Sequence, residues 1–328
     1  MMRQQFFQNL EAKEYQLPSA ITDQLMTPAL VVHMDKVRAN IQQMLKYVGD
    51  DRNRWRPHLK TTKIPQVWDE LLLAGLRRFK VATTRELAVL CEVVRNHHID
   101  GADVLVAYPL VGPALQRVEA IAKAFPEVSI SVLCEDEEGA ASIPQLVGVF
   151  VDVNVGMHRS GIPMAEARRS LAKVAKAAEA GKAGRFRGLH CYEGHLSQPD
   201  LSERRAVAHN VYEEVMELMG GLEEAGHTVR ELITSGTPGF QSALSFKPFT
   251  EKLAAGVHQI SPGTVVFHDL MVESINADVD LQPAAVLLAR VVSRPNGSTV
   301  TVDVGSKSLA AEAGDPAAFV IGREYTCG

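Results

Sequence analysis

Arg54-Trp55-Arg56-Pro57-His58-Leu59-Lys60-Thr61-Thr62-Lys63 sets four cations and a histidine in one short run of a chain whose net charge is -5. Pro57 cannot sit inside a helix, and the residue before a proline is driven toward extended geometry. The run therefore reads as a short strand ending near Lys60. Ile64, Val67, Leu71 and Leu72 recur at helical spacing beyond it, which predicts a helix from about Lys63. Chemistry in α/β barrels sits at the carboxyl ends of strands, so Lys60 is the first residue to follow. Taken alone, the run reads more readily as a solvated basic loop. The rest of the chain has to decide.

Outward from this run the sequence alternates. Apolar runs predict strands at Ala29–Met34, Arg54–Lys60, Arg78–Ala82, Asp103–Ala107, Val128–Leu133, Gly148–Val155, Arg187–Cys191 and Glu231–Thr234. Helical spacing predicts helices at Met34–Tyr47, Arg85–Val94, Met164–Ala180 and Asp200–Ala225, the last stopped by Gly226 in a C-cap position. Such alternation predicts an α/β protein built on a (β/α)8 TIM-like barrel. A doubly wound open sheet fits less well, because no early GxGxxG turn occurs. After Gly263 the pattern changes. Ala284–Val292 and Ser298–Val304 are β-rich and are separated by Arg294-Pro295-Asn296-Gly297, a hairpin signal. The expected organisation is a barrel over residues 26–275 and a β domain from residues 1–25 plus 276–328. With so few strands, that β domain is expected to be truncated at its C-terminus.

Composition narrows the function classes. The chain has 328 residues, is 46% hydrophobic and 22% charged, which is an ordinary globular composition. Its negative net charge argues against nucleic-acid binding, and no apolar run approaches the roughly 20 residues that span a bilayer. Residues 1–15 do not form a signal peptide. The four cysteines, Cys91, Cys134, Cys191 and Cys327, form no CxxC pair, so reduced thiols and a cytoplasmic location are expected.

Besides Lys60, three places on strand ends carry chemistry-bearing residues. One is Asp152-Val153-Asn154-Val155-Gly156-Met157-His158-Arg159-Ser160-Gly161, an apolar strand running into a glycine turn with an arginine at its tip. Another is Gly188-Leu189-His190-Cys191-Tyr192-Glu193-Gly194-His195. The third is a pair of small-residue turns, Ser235-Gly236-Thr237-Pro238-Gly239 and Ser261-Pro262-Gly263-Thr264. Hydroxyls and free backbone N–H groups at such turns suit a phosphate monoester, and barrels place phosphate after their seventh and eighth strands. Singly, Arg159 reads as a surface cation, Tyr192 as a core aromatic and His195 as a loop residue. Together, a lysine, an arginine, a tyrosine and a phosphate cup on one barrel face point to pyridoxal 5′-phosphate.

Thr27-Pro28-Ala29-Leu30-Val31-Val32, Arg56-Pro57-His58-Leu59-Lys60-Thr61, Gly156-Met157-His158-Arg159-Ser160-Gly161-Ile162, Tyr192-Glu193-Gly194-His195, Ser261-Pro262-Gly263-Thr264 and Asp303-Val304-Gly305-Ser306-Lys307 together resemble the D-threonine aldolase and D-serine dehydratase family. These are fold-type III pyridoxal phosphate enzymes, distantly similar to alanine racemase. The resemblance implies Lys60 as the Schiff-base lysine and Arg159 as the partner of the cofactor's phenolic oxygen. It implies Tyr192 beside the pyridine ring, and Ser235, Gly236, Thr237, Gly263 and Thr264 around the phosphate. Lys60, Arg159 and Tyr192 are the implied catalytic residues, with Arg56 and His58 supporting the site and His58 counted among the cofactor's neighbours. Racemases of this fold carry an arginine where this chain has Ser261, which favours lyase chemistry.

The implied activity is cleavage of a D-3-hydroxy amino acid, as in D-threonine aldolase, to glycine and an aldehyde. The alternatives are a dehydratase acting on D-serine or a D-3-hydroxy amino acid, a racemase, or a non-catalytic pyridoxal phosphate-binding protein. The resemblance also implies a divalent metal, Zn or Mn, held by a histidine and a nearby cysteine or aspartate in the β domain. No His-x-Cys or His-x-Asp follows residue 300, so no metal ligand is assigned; His268-Asp269 reads as local structure. The expected partners are a small D-amino acid and a second copy of the chain, with neither nucleic acid nor membrane.

Overall fold

In a computed structural model, residues 10, 12–180, 185–196, 198, 200–275, 279–305, 308–309, 318–321 and 326–327 are described. The chain divides into two compact units, one of residues 40–266 and one of residues 1–39 with 267–328.

In the second of these, β1 (Ala29–Val32) is a strand as its apolar run predicts, but it is not a barrel stave. It pairs antiparallel with a strand at Ala285–Leu288, from Ala29 opposite Leu288 to Val32 opposite Ala285. The expected hairpin is present in shorter form: Val291–Ser293 pairs antiparallel with Thr301–Val302, and the Asn296 side chain accepts from Ser298 N within the turn. Two of the stretches that carry the family resemblance meet here, since Thr27 Oγ1 donates to Asp303 Oδ2. Ser306 and Lys307 of the last stretch lie outside the described residues, as does Gly328 at the chain's end.

The unit of residues 40–266 is the barrel. Its parallel strands are β2 (Arg78–Val81), β3 (Ala102–Pro109), β4 (Val128–Cys134), β5 (Gly148–Asn154) with the short β6 (Ile162–Pro163) beside it, β7 (Phe186–Cys191), β8 (Glu231–Thr234) and β9 (His258–Ile260). The ends β2 and β9 are joined by the opening stretch. Arg56 N donates to Ile260 O, Leu59 N donates to Lys80 O, and Lys80 N donates to Pro57 O. Trp55 is bridged to Ile260 and His58 to Lys80, both in parallel. The stretch therefore supplies the first of eight staves in chain order, too irregular to form a regular strand. Pro57 has no N–H to give a ladder, which accounts for part of that irregularity. The number of staves matches the sequence-based expectation while the membership differs: Ala29–Val32 leaves the barrel and His258–Ile260 joins it.

The helices predicted by periodicity form at Met34–Tyr47, Thr84–Asn96, Met164–Glu179 and Leu201–Glu224. Asp200 caps the last through Glu203 N, and Thr83 caps the second through Glu86 N. The helix after the opening stretch runs Pro65–Leu73, with Pro65 at its first turn. Lys63 stands outside it at φ +49°, which corrects the expectation that the helix starts there.

Alternation along the strands stacks the interior. On β3, Asp103 joins a buried ion network, Leu105 the apolar core, and Ala107 the mouth of a cavity. The core cluster is Leu105, Leu133, Phe150 and Ile233. In the network, Arg56 binds Asp103 Oδ1 at 2.6 Å, Glu231 Oε2 at 2.7 Å and Gln259 Oε1 at 2.7 Å. Arg187 binds the second oxygens of both carboxylates. Burial pushes the Asp103 and Glu231 carboxyls up, but Arg56 and Arg187 outweigh it and hold both below the usual range. Arg187 and His190 both reach the interior because β7 slips register against β5 at Gly188, whose φ is +152°. A Cβ at Gly188 would lie 1.8 Å from Glu231 O, so no other residue fits there.

Among the described residues, Cys91, Cys134 and Cys191 are free and buried, and no helix is long and apolar enough to cross a membrane.

Candidate active site

Every stave that ends in a chemistry-bearing turn delivers it to one place. A cavity of about 120 Å³ at the carboxyl ends of the strands is lined by His58, Lys60, Thr61, Lys80, Ala107, Arg159, His190, Tyr192, Ser235, Gly236, Thr237, Pro238, Ser261, Gly263 and Thr264. All the site residues expected from the sequence are in that set. Arg56, expected to support the site, lies in the ion network described above, and His195 of the Tyr192 stretch does not line the cavity. Among the described residues no Asp or Glu lines it, so the wall favours an anionic ligand.

Lys60 follows directly from the stave that closes the barrel. Burial, with Arg159 next, lowers the affinity of its amine for a proton, and Glu86 opposes them. A larger share of the amine is therefore neutral and nucleophilic than in a solvated lysine. Arg159 is presented by the turn after β5. Asn154 Oδ1 accepts from Gly156 N and His158 N, both at 3.0 Å, and so shapes that turn. The Arg159 guanidinium lies 5.0 Å from the centre of the Tyr192 ring. Tyr192 gives the cavity an aromatic wall, and burial, with Glu193 next, raises its phenol.

The two small-residue turns follow the seventh and eighth staves, β8 and β9, as expected for a phosphate cup. Ser235 and Ser261 are buried, yet neither Oγ has a hydrogen-bond partner. Buried hydroxyls without partners are rare, and this pair faces a space that an oxygen-rich ligand would fill. Trp55 Nε1 donates to Pro262 O at 3.0 Å, and the Thr61 and Thr264 hydroxyls are 3.2 Å apart, so the second turn is tied to the lysine-bearing stave. Gly263 is packed against that stave too: a Cβ there would lie 2.1 Å from His58 O.

Glu193 was part of a sequence motif without an assigned role. Its Oε2 accepts from Ser235 N at 3.1 Å and its Oε1 accepts from Tyr212 Oη at 2.6 Å. It holds Ser235 at φ +53°, a left-handed conformation unusual for serine. Replacing Glu193 with Ala leaves a buried N–H unpaired and frees the first turn of the cup. The expected loss is about 1–3 kcal/mol of stability together with weaker binding of pyridoxal phosphate, read by chemical unfolding and by fluorescence titration. Lys80 is not singled out in the sequence, and Asp152 and His190 stand in the quoted stretches without a role, yet Lys80 and His190 line the cavity.

With this geometry in hand, comparison with known proteins places the chain. Residues 32–268 match the family model of the alanine racemase N-terminal domain, and the chain belongs to that family, whose enzymes depend on pyridoxal phosphate. It is 24% identical over 322 residues to a 3-hydroxy-D-aspartate aldolase of Paracoccus denitrificans (strain Pd 1222), covering 94% of this chain and 79% of that one. It is 25% identical over 302 residues to a D-threonine aldolase of an Arthrobacter species, covering 89% and 75%. The crystal structure of a D-threonine aldolase from Filomicrobium marinum superposes with a TM-score of 0.73 at 22% identity, over 87% of this chain and 75% of that one.

Proposed function

We propose that this chain is a pyridoxal phosphate-dependent lyase of D-3-hydroxy amino acids. It splits the Cα–Cβ bond and, from D-threonine, releases glycine and acetaldehyde. The observation that carries the reading is one cavity that joins a lysine at a stave's end to two turns with unpartnered serine hydroxyls. The choice of D-3-hydroxy amino acids rests on the aldolases just named and on Ser261, which stands where racemases of this fold carry an arginine.

The residues present fit the cofactor. Lys60 would hold its aldehyde carbon, and Ser235, Gly236, Thr237, Gly263 and Thr264 its phosphate. Arg159 would meet the phenolic oxygen, with Tyr192 and His58 beside the ring. When bound, the cofactor supplies a sink for the electron pair left on Cα. The chain's own contribution is orientation and charge. Arg159 attracts the substrate carboxylate along a wall that carries no acid among the described residues, and Tyr192 limits its approach to one side. His58 stays neutral, because burial and then Lys80, Lys60 and His190 push its imidazole well below the usual range.

A divalent metal, Zn or Mn, a second copy of the chain and a cytoplasmic setting complete the proposal. Among the described residues no group of three or more His, Cys, Asp or Glu side chains is placed to hold a metal. His268 Nε2 pairs with Glu273 Oε2 at 2.7 Å, and Asp269 accepts from Val272 N, so this pair serves local structure. The roles above belong to the chain's residues alone.

The test is to load the full chain with pyridoxal phosphate and supply D-threonine and D-3-hydroxyaspartate, with and without Mn²⁺ or Zn²⁺. Glycine with an aldehyde (acetaldehyde from D-threonine) supports the aldolase reading. A 2-oxo acid with ammonia moves the assignment to a dehydratase. Interconversion of D- and L-alanine without cleavage would refute both.

A further inference from the structure

The floor of the cavity holds a hydrogen-bonded chain that the reading above leaves without a role. Lys80 Nζ is 2.8 Å from His190 Nε2, and His190 Nδ1 is 2.6 Å from Asp152 Oδ1. Ser160 Oγ donates to Asp152 Oδ2 at 2.8 Å. Lys80, His190 and Asp152 come from β2, β7 and β5, and their exposures are 4%, 2% and 3%. Lys80 and His190 nevertheless line the cavity. The chain thus runs from the cavity into the turn that presents Arg159.

A lysine inside a barrel is costly, because desolvation of its charge is repaid only in part by a partner. An apolar residue would fill the place more cheaply if packing were its purpose. The order of partners has a chemical meaning. With Asp152 ionised, His190 directs its Nδ1–H to the carboxylate and leaves Nε2 as an acceptor facing Lys80. A proton on Lys80 can pass to His190, where Asp152 stabilises it. Lys60, released once the substrate amine is in place, is left to return a proton to Cα, so the hydroxyl proton needs a second group.

We infer that Lys80 is a catalytic acid–base residue of this site and takes the proton of the substrate's 3-hydroxyl. His190 and Asp152 are positioning residues that orient its amine and share the proton. The inference rests on the lyase reading above. In the step, the O–H bond breaks and its proton goes to Lys80 Nζ; the freed pair on oxygen forms the C=O of the departing aldehyde as the Cα–Cβ bond breaks, and that bond's pair stays on Cα, which takes a proton to give glycine. In the reverse direction Lys80 returns the proton.

The surroundings set the amine near its working range. Burial, and next the neighbouring Lys60, bring Lys80 down to about 7; Asp152 and Glu193 pull upward and Arg56 pushes downward. His58 and His190, the other titratable groups close by, are themselves lowered by Lys80, with burial first in each case. A base must be neutral to accept a proton, so turnover should fall as pH drops through about 7.

The test uses the full chain loaded with pyridoxal phosphate. In wild-type protein labelled with ¹³C at the lysine ε-carbons, one signal, absent from Lys80→Gln, is expected to titrate near neutral pH and to move upfield or downfield in pH when His190 is replaced by Asn. Borohydride reduction followed by peptide mapping should place the cofactor on Lys60 in wild type and in Lys80→Gln alike. Lys80→Gln should lower kcat on D-threonine by ~10²–10⁴-fold, the usual contribution of a general acid–base group, and abolish the acid limb of the pH profile. Lys80→Arg keeps the charge and should be equally slow, whereas added ethylamine should partly restore Lys80→Ala. Titration of the Lys80 signal at about 10, the ordinary lysine value, overturns the inference. So does an unchanged pH profile in Lys80→Gln, or cofactor trapped on Lys80. If wild type holds the cofactor on Lys60 but leaves every D-3-hydroxy amino acid intact, the lyase reading fails, and the titration still decides whether Lys80 is an acid–base group.

Discussion

Lys60→Ala is expected to fold normally, to lose covalent capture of pyridoxal phosphate, and to lose ~10⁴-fold or more in turnover, the scale on which removal of an attacking group costs an enzyme. Lys60 is exposed within the cavity, so truncating it opens no void in the core. Lys63 is the natural control. It lies three residues on, at φ +49°, and does not line the cavity. Lys63→Asn, which tolerates that backbone conformation, should retain both capture and rate. Absorption spectra and borohydride trapping read the first effect, and aldehyde release the second. Normal capture by Lys60→Ala, or its loss in Lys63→Asn, would show that the wrong lysine has been assigned.

Arg56→Met should act on stability instead of chemistry. Arg56 is fully buried and holds Asp103, Glu231 and Gln259 at once. Its removal leaves two buried carboxylates with Arg187 as their one ion-pair partner among the described residues and Gln259 Nε2 on Glu231. Breaking a buried ion pair by deleting one partner costs about 3–5 kcal/mol, a large part of the roughly 5–15 kcal/mol that holds a typical domain together. Urea unfolding should show a much earlier midpoint. The acid response should change as well. Carboxyls held low by the fold contribute stability above the ordinary carboxylate range and lose it as pH falls through their folded values. Asp103 and Glu231 are such groups, so wild type should weaken progressively in acid and Arg56→Met should show a flatter dependence. A variant as stable as wild type would mean that the network contributes little.

The site was more legible in the sequence than the barrel's membership was. Lys60, Arg159, Tyr192 and the two small-residue turns could be found because proline, glycine and hydroxyl residues mark strand ends directly. Lys80, His190 and Asp152 carry no such punctuation. Each is a single polar residue inside an otherwise apolar strand, as in Phe79-Lys80-Val81 and Val151-Asp152-Val153. That isolation is itself the missed signal, since a lone charge in a buried strand needs a partner. Ala29–Val32 was assigned to the barrel because an apolar run says that a strand forms, not which strand it joins. His258–Ile260 was overlooked because it is short and two of its residues are polar; both face buried partners, His258 with Thr234 and Gln259 with Arg56.

The stave made of residues 55–59 closes the barrel and also ends at the lysine. Its partners, β2 and β9, lie near the two ends of that unit's sequence. The last contacts that complete the barrel are therefore long-range ones, which form at a high entropic cost. A chain that has made only its early strands has no cup, no tied second turn and no fixed place for the Lys60 amine. Reactive aldehydes thus meet an ordinary lysine on the unfinished chain and an activated one only on the finished fold, so that folding itself decides when the nucleophile is armed.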